Sequence, residues 1–264
     1  TATVAVTGGA TGAVAYGANA TLQYKTTDVR TVTLEEWLAT FAATGGVIIA
    51  NTGTITLDAA KVFGASVPLT INSGATLATN NFQMTFGGDF RNNGGTFSCG
   101  TSTVTFNATS GTKTITSGGS SFYDLIVDGS GGTWTITDNM SVTHNLTLTH
   151  GTFSTSLQGY SIAIGNNLVV STGTTLSGNS GITVSGGSAT GDGTINLTGG
   201  TFLLSNTGNF GGATDWSFYN LTFGNGTSKT TTKSGSNNIT ALSELTIAAN
   251  QILPYSIAGS AYKE

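Results

Sequence analysis

Short runs of alternating apolar and polar residues, separated by corners rich in glycine or asparagine, make up most of the chain. One triplet of the form apolar–Thr–apolar recurs through these runs. In a strand, residues i and i+2 point to the same face, so each triplet predicts two apolar side chains inside and one threonine outside. The copies are Ile55-Thr56-Leu57, Leu69-Thr70-Ile71, Val104-Thr105-Phe106, Trp134-Thr135-Ile136, Leu146-Thr147-Leu148, Ile182-Thr183-Val184, Leu221-Thr222-Phe223 and Leu245-Thr246-Ile247.

The pattern also has a longer period. Leu125, Leu146 and Leu168 are spaced by about 21 residues, and a β-solenoid rung with two or three short strands needs a period of this length. The tetrapeptide at 122–125 returns in modified form at 218–221. A pair of β-sandwiches is the competing architecture, but sandwiches require no such self-similarity. We therefore predict an all-β protein, a single-stranded parallel β-helix (β-solenoid) over residues 47–264, with the usual right hand.

Two further alternating runs, at residues 1–7 and 12–16, precede the first triplet. Alternation with a period of two predicts strands, so residues 1–30 are assigned to extended N-terminal strands. Two arrangements are open for them: a hairpin folded back on its own domain, or a strand donated to a neighbouring subunit. The side chains that would make these contacts are Ala2, Val4, Val6, Val14 and Tyr16.

Residues 31–46 are predicted to form a short capping helix that covers the apolar end of the solenoid. Thr33 and Glu36 have the spacing of a capping box, which satisfies exposed N–H groups where a helix begins. Gly45-Gly46 supplies the C-terminal stop. The predicted apolar face of this helix consists of Leu34, Trp37, Leu38 and Phe41.

Charged residues make up only 8% of the chain, and the net charge is −4. An average soluble domain has about 25% charged residues, so repulsion between copies of this chain is weak and association is favoured. The eight Lys and Arg residues form no cluster, which argues against nucleic-acid binding. No run approaches the roughly 18 apolar residues of a membrane helix. We expect the chain to associate with itself, without membrane insertion.

The acidic residues show no pattern of catalysis. Polysaccharide lyases and hydrolases need clustered carboxylates, and the twelve Asp and Glu residues include no Asp-Asp or Asp-x-Asp set. Asp124 becomes Asn220 in the second copy of its tetrapeptide, which indicates a polar corner and no required charge. We therefore predict no catalytic residue.

The residues that could form a metal site or a reactive thiol lack the partners that such sites need. His144 and His150 could share a face with Asp138, but residues six apart on a strand lie about 20 Å apart, too far for one ion. Cys99 has no base in its segment and is expected to serve packing. We predict no metal and no cofactor.

Two sets of residues are candidates for surface chemistry. Trp216 lies in a segment without a triplet, so it is the candidate for contact with a ligand such as a sugar. The chain also contains eight Asn-x-Ser/Thr sequons, which are candidate glycosylation sites in an exported protein. They begin at Asn19, Asn107, Asn139, Asn145, Asn196, Asn220, Asn225 and Asn238.

The triplets and corners resemble those of a family of large secreted surface proteins of bacteria and archaea with Thr/Gly-rich β-solenoid repeats. The resemblance is closest over residues 88–176, through Gly95-Thr96-Phe97 and the segments 100–106, 122–127 and 145–153. Residues 32–57 are also similar to the lid helix and first rung of right-handed parallel β-helix proteins. The resemblance implies export and a place at the cell surface. It does not cover residues 1–30.

The expected function is therefore structural. The sequence favours a non-catalytic protein of the cell exterior, which self-associates head-to-tail into an extracellular filament or surface assembly, in one version by strand complementation from its N-terminus. The first alternative is an adhesin or phage-type receptor-binding shaft that binds surface glycans. The second alternative is a polysaccharide lyase or hydrolase.

Overall fold

The computed structural model describes residues 14–155, 158–253, 258–259 and 262–263, and within them the chain is a parallel β-solenoid of about 11 turns. The all-β solenoid prediction is confirmed. Each strand pairs in parallel with the strand one turn later in the chain, as Leu125 does with Leu146 and Leu146 with Leu168. The period of about 21 residues seen in the sequence is therefore the length of one turn.

The strands are, in chain order, β1 (Leu22–Lys25), β2 (Val29–Thr31), β3 (Thr40–Phe41), β4 (Val47–Ala50), β5 (Thr54–Thr56), β6 (Lys61–Phe63), β7 (Leu69–Asn72), β8 (Thr76–Ala78), β9 (Met84–Phe86), β10 (Phe90–Asn93), β11 (Thr96–Ser98), β12 (Thr103–Phe106), β13 (Thr112–Thr116), β14 (Ser121–Phe122), β15 (Asp124–Ile136), β16 (Met140–Val142), β17 (Leu146–Ser154), β18 (Ile162–Ile164), β19 (Leu168–Val170), β20 (Thr174–Gly178), β21 (Ile182–Val184), β22 (Ala189–Thr190), β23 (Thr194–Leu197), β24 (Thr201–Leu204), β25 (Gly208–Gly211), β26 (Trp216–Phe223), β27 (Lys229–Lys233), β28 (Ile239–Ile247), β29 (Gln251–Ile252), β30 (Ala258–Gly259) and β31 (Tyr262–Lys263).

These strands form three faces, which are named here in the order in which the chain visits them. Face 1 runs from β1 through β4, β7, β10, β13, β15, β17, β20, β23, β26 and β28 to β30. Face 2 has two parts, β2–β5–β8–β11 and β14–β16–β18–β21–β24–β26–β28–β31. Face 3 runs from β3 through β6, β9, β12, β15, β17, β19, β22, β25 and β27 to β29. The long strands β15, β17, β26 and β28 each turn a corner and serve two faces.

The core is a set of stacked columns of apolar side chains. Phe63, Phe86 and Phe106 occupy equivalent positions on successive turns, with ring centroids 4.8 Å and 5.5 Å apart. All three rings are buried. Burial of one such side chain stabilises the fold by about 1.5–3 kcal/mol, and the stacked geometry adds to this. The apolar members of the triplets are buried as predicted, except Ile247, which is 37% exposed near the last turn.

The repeated tetrapeptide does not keep to one corner. Phe122 lies on face 2 and Leu125 on face 3, whereas Phe218 lies on face 1 and Leu221 on face 2. The same four-residue pattern therefore turns two different corners. An apolar–Thr–apolar strand can occupy any face, because each face offers the same inward-facing core and outward-facing solvent.

The predicted capping helix is wrong, since the described residues contain no helix. Segment 33–38 makes a single turn, in which the backbone N–H of Glu36 and that of Trp37 both donate to the carbonyl of Thr33, at 3.2 Å and 2.9 Å. The chain then extends, and Phe41 pairs with Phe63 and begins the phenylalanine column of face 3. Strand pairing and burial of Phe41 outweigh the local helical preference. The solenoid also begins earlier than predicted, because β1 already pairs with β4.

Candidate functional surfaces

The N-terminal end of the solenoid is closed by aromatic side chains. Trp37 is fully buried between Tyr24 and Phe63, with ring centroids 5.8 Å and 6.0 Å away. Phe41 is also buried, Leu38 is half-buried, and Leu34 is 45% exposed. Residues 31–46 thus cover the end of the solenoid as predicted, but they do so with a single turn and not with a helix. Trp37 and Phe41 are buried there, whereas Leu34 of the predicted apolar face is exposed.

An ion pair completes this end. Arg30 takes the inward position that Ile55, Leu77 and Phe97 occupy on the next three turns. Its guanidinium bonds the carboxylate of Glu36, which also accepts the backbone N–H of Thr33 at 3.3 Å. The Glu36 side chain is only 4% exposed and that of Arg30 38% exposed. The apolar column therefore ends on a charge pair that reaches solvent.

A fully buried cation, Lys61, lies one turn further along. The Lys61 ammonium is buried, 2.7 Å from the carbonyl oxygen of Trp37 and 2.8 Å from Asp58 Oδ1. Because its ammonium donates a hydrogen bond to the Trp37 carbonyl, Lys61 stabilises the turn at residues 33–38. A buried lysine needs such partners, because an unpaired charge in the core is costly. Neither Lys61 nor Arg30 is among the residues predicted from the sequence, where the only sign of their role is a charged residue at a position that faces inward.

The proposed assembly residues divide into two groups. Ala2, Val4 and Val6 lie outside the described residues. Val14 donates its backbone N–H to the Glu35 carbonyl at 2.7 Å. Tyr16 donates its hydroxyl to the Glu36 carbonyl and packs edge-on against Phe41, with centroids 4.9 Å apart. Burial and the nearby Glu36 carboxylate raise the Tyr16 pKa to about 12. From Val14 onward, the segment is folded back on its own first turn.

Both ends of the solenoid present strands that pair on one side only within the described part of the chain. At the N-terminal end these are β1, β2 and β3, which pair only with the second turn. At the other end they are β29, β30 and β31, which pair only with β27 and β28. Large apolar side chains are exposed near both edges: Val29 at 78% and Ile252 at 55%. Such edges are templates for pairing with another chain.

The aspartates at the corners bind the neighbouring turn. Asp89 accepts the backbone N–H of Thr114 at 2.8 Å, and Asp192 accepts that of Ala213 at 2.8 Å. Asp124, Asp138 and Asp215 accept backbone N–H groups of adjacent turns in the same way. Hydrogen bonds from Asn238 lower the pKa of Asp215 below its usual value. These contacts are the polar corners expected from the sequence.

The histidines and the cysteine also have local partners. The His144 ring bonds the Asp124 carboxylate and stacks on Tyr123. The His150 ring bonds a different carboxylate, that of Asp128. Among the described residues no three His, Cys, Asp or Glu side chains converge on a metal site. Cys99 is buried, which raises the pKa of its thiol, and its Sγ lies 3.2 Å from the Ser121 carbonyl.

Trp216 cannot be the ligand contact predicted from the sequence. It begins β26, faces the core and is 1% exposed, because it takes the inward column position between Ile195 and Ile239. Its indole N–H donates to the Gly193 carbonyl at 2.9 Å. Trp134 is buried in an inward triplet position, as predicted.

The sequon asparagines differ in exposure. Asn19, Asn139, Asn196, Asn225 and Asn238 are exposed, whereas Asn107, Asn145 and Asn220 are half-buried. Glycan attachment needs the side-chain amide nitrogen to be accessible. The Asn145 amide nitrogen bonds Asp124 at 3.1 Å and His144 at 2.9 Å, so Asn145 is the least suited acceptor of the eight.

A shallow groove of about 390 Å³ lies on face 3. Asn145 Oδ1 accepts the amide of Asn167 at 3.1 Å, and the Asn145 amide donates to Asp124, so the polar corner beside the groove is held in a ladder. Its lining includes Asp124, Asn145, Asn167, Ile126, Thr147 and Val169.

The comparisons with known proteins found no matching family model, no matching curated protein and no matching solved structure. In the described part of the chain no helix is long and apolar enough to cross a membrane. Function is therefore argued from the geometry of the ends, corners and faces.

Proposed function

We propose that this chain is a non-catalytic structural protein of the cell exterior, which associates head-to-tail through the two ends of its solenoid into a filament or surface assembly. The observation that carries the proposal is the one-sided pairing of the terminal strands. The three faces end in β30, β31 and β29 at one end, and they begin with β1, β2 and β3 at the other. A second copy can therefore extend the ladders of faces 1 and 2 at the N-terminal end, whereas residues 14–18 of the chain itself already lie beside β3.

The charge and shape of the subunit support association. Only 8% of the residues are charged, so few like charges oppose contact between copies. A head-to-tail contact joins different surfaces and gives an open filament when its rotation does not close a ring. Export to the cell surface is part of the proposal and rests on the family resemblance of the triplets.

The role of the N-terminal segment is narrower than the sequence suggested. Residues 14–24 contact the first turn of their own chain, and Tyr24 is buried there. Only residues 1–13 remain as the segment proposed for donation to the C-terminal end of a neighbour. A strand added there would cover Ile252 and Ile247, two of the exposed apolar side chains of that end.

The proposal is tested with two variants of the full chain, measured by analytical ultracentrifugation over a range of concentrations. Ile252→Lys places a charge at the C-terminal edge, and Val62→Lys places one on a half-exposed outward position of face 3 as a matched control. We expect concentration-dependent polymers for the wild type and the control, and monomers for Ile252→Lys. Deletion of residues 1–13 distinguishes two modes of association. Polymers are lost if these residues are donated to a neighbour, and polymers remain if the terminal strands pair directly. Wild-type protein that stays monomeric throughout would refute the proposal.

The groove on face 3 favours a glycan-binding shaft as the second candidate function. Its fixed amide and carboxylate groups beside Ile126 and Val169 combine hydrogen-bonding and apolar contacts, as sugar sites do. Binding of soluble glycans that is lost on Thr147→Trp, with unchanged melting temperature, would support this candidate. The polysaccharide lyase or hydrolase alternative has no comparable support, since the corner aspartates bond backbone N–H groups of neighbouring turns.

A further inference from the structure

The central turns of face 1 carry a regular array of small hydroxyl side chains on the outside. On β15, β17, β20 and β23, the outward residues flank one core residue in the pattern Thr-x-Thr, Thr-x-Ser, Thr-x-Ser and Thr-x-Asn. On β13 the same two positions are Thr112 and Thr114, and the residue between them is the half-buried Lys113, whose ammonium bonds Ser66 Oγ at 3.0 Å. Strand register aligns them in two columns. The first column is Thr112, Thr133, Thr152, Thr175 and Thr194, and the second is Thr114, Thr135, Ser154, Ser177 and Asn196.

The array is spaced in two directions by the fold itself. Neighbouring strands lie about 4.8 Å apart, and residues i and i+2 of a strand lie about 6.6 Å apart. Parallel pairing on both sides fixes the backbone of the three middle strands. Threonine is restricted at χ1 by its branched Cβ, so its hydroxyl and methyl keep a fixed orientation. The result is a rigid lattice that loses little entropy when it meets another lattice.

The polar groups of the array are not used inside the protein. None of the ten side chains hydrogen-bonds to another described residue, and all ten are partly or fully exposed. The adjoining pair Thr116 and Thr137 differs, since these two hydroxyls bond each other at 2.6 Å. Thr143 and Ser185, at the corners, donate to carbonyls of the preceding turn. The array thus presents its hydroxyls to solvent, whereas Thr116, Thr137, Thr143 and Ser185 use theirs within the protein.

The chemistry of the array narrows the class of ligand. None of its ten side chains is charged, and the charges of Lys113 and Asp89 lie only at its β13 edge, so the array as a whole does not select an ion, a nucleic acid or a charged polymer. It contains no aromatic side chain, on which sugar rings stack, and no large apolar side chain that would anchor a protein partner. Nine of its ten side chains carry a hydroxyl that exchanges hydrogen bonds with water, seven of these also carry a methyl group that orders water beside it, and the tenth is the amide of Asn196. The two spacings are of the same order as the oxygen repeats on the prism faces of hexagonal ice.

We propose that this hydroxyl array on face 1 is an ice-binding surface. The rows of Thr hydroxyls and methyls hold a sheet of water molecules in positions that join the ice lattice, and the bound protein then blocks growth of the crystal face. The proposal is independent of head-to-tail assembly, because the array lies on a side of the solenoid and leaves both ends free.

The test uses two substitutions of outward threonines. Thr152 on β17 is in the array on face 1, and Thr183 on β21 points outward on face 2, between Ala163 and Leu203. Thr152→Tyr puts a bulky ring in the middle row, and Thr183→Tyr is the matched control. Thermal hysteresis and inhibition of ice recrystallisation are measured for the wild type and both variants. Melting curves followed by circular dichroism check the fold, and Thr135→Tyr replaces Thr152→Tyr if that variant does not fold.

We expect the wild type and Thr183→Tyr to shape ice crystals and to depress their growth temperature, and Thr152→Tyr to lose most of this activity. Wild-type protein without hysteresis and without recrystallisation inhibition would overturn the proposal. Equal activity of the folded Thr152→Tyr and Thr183→Tyr variants would also overturn it. Binding to crystalline chitin or cellulose that depends on Thr152, with no effect on ice, would assign the array to a polysaccharide surface instead.

Discussion

The ion pair of Arg30 and Glu36 offers a sharp test of how the N-terminal end is closed. Glu36→Leu removes a carboxylate whose side chain is only 4% exposed, and it leaves the Arg30 charge without a partner at the end of an apolar column. Breaking a buried pair in this way costs about 3–5 kcal/mol. Arg30 is 38% exposed and regains some water, so we take the lower value, about 3 kcal/mol.

Removal of both charges should have a different result. Arg30 stands above Ile55 and Leu77, so Arg30→Leu continues a column that is already apolar. Replacement of a buried pair by well-packed apolar residues is often neutral or stabilising. We therefore expect the double variant Arg30→Leu/Glu36→Leu to lie within about 1 kcal/mol of the wild type, although Glu36→Leu alone is strongly destabilised.

Hydrogen exchange followed by mass spectrometry measures this effect locally. A loss of about 3 kcal/mol corresponds to roughly 100-fold faster exchange through local opening. The effect should fall on amides of β1 and β2, while those of β18 and β19 exchange as before, since turns of a solenoid contact only their neighbours. Unchanged exchange of β1 and β2 in Glu36→Leu would refute the reasoning, as would equal destabilisation of the single and double variants.

Three other predictions follow from the buried side chains. Trp216→Ala should lower the free energy of unfolding by about 3–5 kcal/mol, measured by urea denaturation, because it empties a core position; a fully stable variant would contradict that placement. Stability should fall as pH rises above about 10, because burial raises the folded-state pKa of Tyr16 from 10.0 to about 12 and also raises the pKa of Tyr24. Tyr16→Phe should make the fall between about pH 10 and about pH 12 less steep in thermal melts, and the remaining slope belongs to Tyr24. Cys99 should react slowly with a thiol reagent at pH 8 in the native protein and rapidly in urea, because burial raises its pKa; equal rates would show an accessible thiol.

The sequence was sufficient for the architecture because the solenoid is built from local patterns. Each triplet specifies which side chains point inward, and its repetition at about 21 residues specifies stacking. The structural role of the corner aspartates could be inferred for the same reason, since Asn220 replaces Asp124 in the second copy of the tetrapeptide. These inferences needed no knowledge of distant contacts.

The errors arose where distant contacts override local preference. The segment at 33–46 has the capping box and periodicity of a helix, but pairing of Phe41 with Phe63 and the bond from Lys61 to the Trp37 carbonyl favour an extended path after one turn. Trp216 has no triplet around it, and only the register with Ile195 and Ile239 shows that it faces inward. The hydroxyl array was equally hidden, because its columns join residues about one turn apart.

Electron microscopy of the purified full chain tests the central claim most directly. The account predicts unbranched filaments one solenoid wide, in which the strand spacing of about 4.8 Å continues through the junctions between subunits. The Ile252→Lys variant should give single short rods under the same conditions. Single rods for the wild type at every concentration, or filaments joined through the sides of the solenoid, would contradict the account.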